Sequence, residues 1–99
     1  MSKSKKDVRY EAVKQLIQTG NLTSLQAAFQ IIPVTVVKAD AGFHYATLHR
    51  KIYQPSLFKV EEIIILANLF NVSPQEILGL ALTDLKYKAT TVAKKNTDL

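Results

Sequence analysis

Apolar residues along this chain recur three and four positions apart rather than in alternation, the spacing that lines one side of a helix. In DVRYEAVKQLIQTG they fall at Val8, Ala12, Val13, Leu16 and Ile17. Asp7 is placed to cap the start, and Gly20 suits the left-handed backbone that ends a helix. Next comes Thr23-Ser24-Leu25-Gln26, a capping-box pattern in which the Thr23 hydroxyl and the Gln26 amide each satisfy an orphan backbone donor. Leu25, Ala28, Phe29 and Ile32 follow at helical spacing, so a second helix is expected to end near Pro33.

Pro33 stops one helix and can open another, because its ring fixes φ at a helical value and its missing N–H would go unpaired in a first turn anyway. The pattern then predicts a short third helix from Thr35 to Ala41, an interruption at Gly42, and a fourth helix over 44–53 carried by Leu48 and Ile52. Pro55 forbids much extension. A fifth helix is expected over 59–70 with Val60, Ile63, Ile64 and Ala67 inward, and a sixth opens at Ser73-Pro74-Gln75-Glu76, where cap, first-turn proline and third-position Glu agree. Periodicity fades after Leu82 into TDLKYKATTVAKKNTDL, which reads as a helix extension or a basic tail. The valine-rich VTVV is too short and too isolated to pair as a strand. The expectation is an all-α bundle of five to six short helices: a basic tail over 1–6, one domain over 7–82, and an extension or tail over 83–99.

Composition narrows the picture. With 99 residues, 47% apolar and 21% charged, the chain has material for one core and needs no staple. The absence of cysteine excludes a disulfide framework and zinc-ribbon patterns. No apolar run suits a signal peptide or a membrane span, so a soluble, unprocessed, cytoplasmic protein with no membrane partner is expected. A formal charge of +5 favours a polyanionic partner. Lys3, Lys5, Lys6, Lys94 and Lys95 lie near the ends, however, so the placement of the other charges decides what that balance means.

Two short helices joined by a tight glycine turn are the outline of a helix-turn-helix, here 34–53, whose second helix enters the DNA major groove. Val37, Ala41, Phe43 and Leu48 are spaced to share one core. With Leu48 and Ile52 taken as the buried direction of the fourth helix, Arg50 falls nearly opposite, Ala46, Thr47 and Tyr53 lie beside it, and His49 and Lys51 flank it. Arg50 can grip guanine O6 and N7 in a bidentate fork, Thr47 can meet a base or a thymine methyl, and Ala46 lets the backbone approach. Lys38, Lys51 and Lys59 suit phosphates, and His44 and Tyr45 stand at the helix start, where first base edges or flanking backbone are met. The bland alternative is a merely solvated face. The preceding helix, the turn and the net charge together favour double-stranded DNA.

From Leu22 to Leu82 the pattern IIPVTVVKADAGFHYATLHRKI, then PSLF, then EEIIILANLFNVSPQEIL resembles the lambda-repressor-like, Cro-type family of helix-turn-helix regulators, and within it small bacterial regulators of the Bacteroidetes type. That resemblance implies a sequence-specific DNA binder with one helix more, at the N-terminus, than a minimal repressor domain. Three positions depart from the family's pattern. Lys38 stands where a small residue is usual, and Val34 replaces a Gln that often makes a contact, a role Thr35 can take. Asn71 replaces a Gly before the last helix, and Asn tolerates left-handed backbone.

On the fifth helix Ile65 and Leu69 are expected to face away from the inward stripe. Either the N-terminal helix covers them, or with Leu82 and Leu85 they build a two-fold homodimer interface. His44 and His49 are five apart rather than the four that aligns two imidazoles for zinc, and no other ligand completes a set. Glu61 and Glu62 read as early-turn residues favoured by the helix dipole. Nothing outlines a nucleophile motif, a phosphate loop or a small-molecule effector site, so no enzyme and no cofactor is expected. A rival expectation is a helical protein-interaction module, antitoxin-like or adaptor, that uses the apolar stripe.

Overall fold

A computed structural model describes residues 6–86, so positions 1–5 of the expected basic tail and everything from 87 on lie outside the described residues. Within them the chain is all-helical and has no strand. The elements are α1 (Val8–Gln18), α2 (Leu25–Ile31), α3 (Val34–Ala41), α4 (Tyr45–Tyr53), a 3-10 turn at Pro55–Leu57, α5 (Val60–Phe70) and α6 (Pro74–Asp84). No single helix among them is long and apolar enough to cross a membrane.

Local chemistry sets most boundaries. Asp7 accepts from the Arg9 N–H at 2.9 Å and caps α1. The Glu76 N–H donates to Ser73 Oγ at 3.1 Å and the Ser73 N–H to Glu76 Oε1 at 2.9 Å, completing the capping box of α6. Gly20, Gly42 and Asn71 adopt φ of 78°, 78° and 59°, the left-handed conformation that lets a chain leave a helix at once. The α2 cap is corrected by one residue: Ser24, not Thr23, accepts from the Ala27 N–H at 3.0 Å. A remote group fixes that frame, because the Asp84 carboxylate at the end of α6 takes the Leu25 and Gln26 N–H groups at 2.9 and 3.0 Å.

Two inward faces also differ from the periodic expectation. On α1, Val8 is 81% exposed and Ala12 faces solvent, while Tyr10 and Val13 are buried. On α5, Val60 is 76% exposed and Ile64 42%, and the buried set is Ile63, Leu66, Ala67 and Phe70. Leu69, expected to point outward, packs against the core, and Ile65 is half-buried. Large rings explain both choices. The Phe70 ring meets Tyr10 edge-on at 5.2 Å and Phe29 at 6.4 Å, so α1, α2 and α5 converge on one aromatic cluster. Burying a ring of that size contributes about 2–3 kcal/mol, more than a valine at a helix end offers.

Tyr10 also fixes α1 to the middle of the chain. Its hydroxyl donates to the Asp40 carboxylate on α3 at 2.7 Å. Burial first, and then the Asp40 carboxylate, hold the phenol well above its ordinary value of 10, so it remains a donor at any physiological pH.

Gly42 offers a clean measurement, because a methyl built there meets nothing within 4 Å. Gly42→Ala is therefore expected to cost about 1–2 kcal/mol from left-handed backbone strain alone, and Gly42→Asn clearly less. Urea denaturation checks it: the midpoint should fall in that order with an unchanged slope.

Candidate nucleic-acid interface

Helices α3 and α4 meet at a turn only Gly42, Phe43 and His44 long. The Gly42 and Phe43 N–H groups both bond the Lys38 carbonyl at 3.0 Å, closing α3 before the chain reverses. Val37 on α3 and Leu48 and Ile52 on α4 are fully buried, with Val34 and Phe43 packed at the edge of the same core. Helix α4 thus has one fixed face and one free face.

The free face carries most of the residues expected there. Tyr45, Ala46, Thr47, His49, Arg50 and Tyr53 are all exposed. His44 is exposed at the N-cap position and makes no side-chain cap bond. Thr35 is exposed on α3, Lys38 on the same helix is half-buried, and Lys59 is exposed at the start of α5. The α3 cap position, Pro33, likewise offers no side-chain acceptor. First-turn N–H groups of α3 and α4 are therefore not taken by a side-chain cap, and such groups readily donate to a phosphate oxygen.

Lys51 departs from expectation. It is 8% exposed, and its ammonium bonds both Glu62 oxygens at 2.8 Å. One of those oxygens also accepts the Lys59 N–H at 2.8 Å, so a single carboxylate joins α4 to the first turn of α5. Burial draws the Glu62 carboxyl upward, but the bonds from Lys51 and Lys59 outweigh it and hold it below its ordinary 4.5. Lys51 is thereby withdrawn from the set of free cations, and Arg50 is the fixed charge left on the exposed face of α4. A small cavity of about 140 Å³ opens beside the pair, walled by Phe43, Thr47, Leu48 and Phe58.

A second feature emerges from the spacing of three rings. Tyr45, His49 and Tyr53 stand four apart; the Tyr45 and His49 rings stack at a centroid distance of 5.6 Å, and the Tyr53 ring lies tilted against His49 at 5.1 Å. That spacing is legible in YATLHRKIY, whereas nothing local marks Lys51 as the partner of a carboxylate eleven residues away.

Of the residues considered for a two-fold interface, Leu69 is half-buried against the core, Ile65 and Leu82 are half-buried, and Leu85 is 44% exposed. The apolar surface lies elsewhere, in a groove of about 250 Å³ between α5 and α6 lined by Val60, Ile63, Ile64, Pro74 and Leu78.

The chain matches no protein-family model, no curated protein and no solved structure.

The Lys51–Glu62 pair predicts a definite pH signature. Because the folded carboxyl lies below its ordinary 4.5, the pair stabilises fully above that value and is lost as pH falls through the lower, folded one. Glu62→Gln should cost about 1–3 kcal/mol at pH 7. Thermal melts of both proteins from pH 7 to pH 3 should converge toward the acid end; a gap that stays constant with pH refutes the assignment.

Proposed function

We propose that the protein binds double-stranded DNA in a sequence-specific manner as a helix-turn-helix of lambda-repressor-like type and acts as a small transcriptional regulator. One observation carries this reading: α4 buries Leu48 and Ile52 while Tyr45, Ala46, Thr47, His49 and Arg50 stand free on its other side. An exposed helix of nine residues, propped by a neighbour across a tight turn, fits the width of a major groove. In this reading Arg50 supplies the bidentate fork for guanine. Thr35, Lys38 and Lys59, with the uncapped amides of α3 and α4, position the phosphates.

Lys51 takes a different part from the other cations. Its charge is spent on Glu62, so it orients α4 rather than touching DNA. The protein-interaction alternative is favoured by a separate observation, the α5–α6 groove, whose Val60, Ile64 and Leu78 are 76%, 42% and 48% exposed. A homodimer that reads paired half-sites would use such a surface, with Leu85 as a further exposed residue.

A salt titration with random duplex DNA separates the readings. Affinity should fall log-linearly with salt, and Lys38→Ala and Lys59→Ala should each flatten the slope by about one unit. Arg50→Ala should weaken binding to a selected site most, while Lys51→Ala should leave the slope unchanged and lower the melting temperature instead. If duplex DNA is not bound at low salt, the interaction module takes its place.

A further inference from the structure

The exposed face of α4 is poor in charge and rich in rings. Helix α4 contains no acidic residue, no Asn and no Gln, so the side-chain amide that reads adenine in a bidentate fashion is missing. With Lys51 tied to Glu62, what remains is one guanidinium, the methyls of Ala46 and Thr47, and the ridge Tyr45–His49–Tyr53. Tyr45 is 46% and Tyr53 54% exposed, which leaves apolar ring surface along one flank of the exposed face, beside Arg50.

We infer that this ridge reads thymine through its 5-methyl group, so that the preferred duplex places thymines beside the guanine gripped by Arg50. The inference rests on the DNA-binding reading above. Among major-groove edges, thymine alone presents a methyl, and apolar side-chain surface is its complement. Cytosine puts a hydrogen and an amino donor in that region, which leaves the ridge facing a gap or an unmatched polar group. The rings are already ordered against one another, so contact with a methyl costs little further side-chain entropy.

The geometry also disfavours stacking on unpaired bases. Tyr45 and His49 lie 27° from parallel, with ring centroids 5.6 Å apart. The Tyr45 and His49 rings already cover a face of each other, and Tyr53 lies tilted by 49° against His49, so the ridge offers mainly ring edges. A platform for single strands needs open faces spaced to receive bases.

The test begins with a duplex enriched from random sequence by the full-length protein. Fluorescence anisotropy then compares that duplex with versions in which each thymine is replaced by deoxyuridine, which removes the methyl and keeps the pairing. At the contacted positions affinity should fall about fourfold per methyl, the fold-change given by burial of one such group. That penalty should vanish in Tyr45→Ala or His49→Ala and persist in Tyr45→Phe, since the ring rather than the hydroxyl makes the contact. Circular dichroism confirms that these surface variants stay folded. Deoxyuridine that leaves affinity unchanged at every position of a tightly bound site overturns the inference and leaves DNA binding standing. Tighter binding to unpaired oligothymidine than to duplex overturns it as well. A failure to bind any duplex removes both this inference and the reading beneath it.

Discussion

The orientation of α4 depends on one carboxylate. Glu62 receives both contacts from the Lys51 ammonium and the Lys59 N–H, so it closes the start of α5 and anchors the back of α4 at the same point. Leu48 and Ile52 hold the helix against the core, but apolar contact is non-directional and permits a helix to roll or slide by a fraction of a turn. A hydrogen-bonded ion pair is directional. An apolar residue at position 51 would fill the space, and exchanges of buried pairs for apolar groups often gain stability. The pair instead fixes which side of α4 faces outward, and that orientation is what any function of the exposed face requires.

Similar cross-links recur where helices begin or end. Tyr10 joins α1 to Asp40 on α3, and Asp84 at the end of α6 holds the first amides of α2. Helices α1, α2, α5 and α6 each have a side-chain acceptor at their start, whereas α3 and α4 have none. Among the described residues, both helices that flank the Gly42 turn therefore present first-turn amides with no side-chain acceptor. Leaving them uncapped forgoes about 1 kcal/mol at each terminus. On the proposed reading a phosphate supplies the missing acceptor.

Helix number, most boundaries and the Gly42 turn were legible in the sequence because each rests on neighbours within a few positions. Ser73 to Glu76, Asp7 and the left-handed Gly20, Gly42 and Asn71 are of that kind. The inward face of α5 was legible only in part: Ile63 and Ala67 are buried as expected, Val60 and Ile64 are not. VEEIIILANLF is apolar nearly all round, so spacing alone cannot choose between the Val60 and Ile64 side and the Leu66 and Phe70 side. The choice is made by ring volume brought together from α1 and α2. Lys51 escaped for the same reason, since its partner is set by the packing of α4 on α5. Thr23 and Ser24 are chemically equivalent as caps, and Asp84, sixty residues on, selects between them. The exposed residues of the candidate face were largely legible, because they are the complement of Leu48 and Ile52 on a single short helix.

Charge placement has a consequence for specificity. Residues 6–86 hold eight basic side chains against seven acidic ones, so most of the net +5 belongs to Lys3, Lys5, Lys88, Lys94 and Lys95, offset there by Asp98. Within the described fold Arg9 pairs with Asp7 and Lys51 with Glu62, which leaves Arg50 as the one unpaired basic side chain on α4, with Lys38 and Lys59 on the neighbouring elements. Non-specific attraction to a polyanion grows with the number of phosphates a protein neutralises and is blind to sequence. On the proposed reading, a face with one guanidinium and a ridge of rings would gain little from a wrong site, since its contacts would form only where methyls and a guanine edge match them. Long-range attraction and base discrimination then fall to different parts of the chain. On that reading the ratio of specific to non-specific affinity would be set by α4, and the salt dependence by lysines outside it.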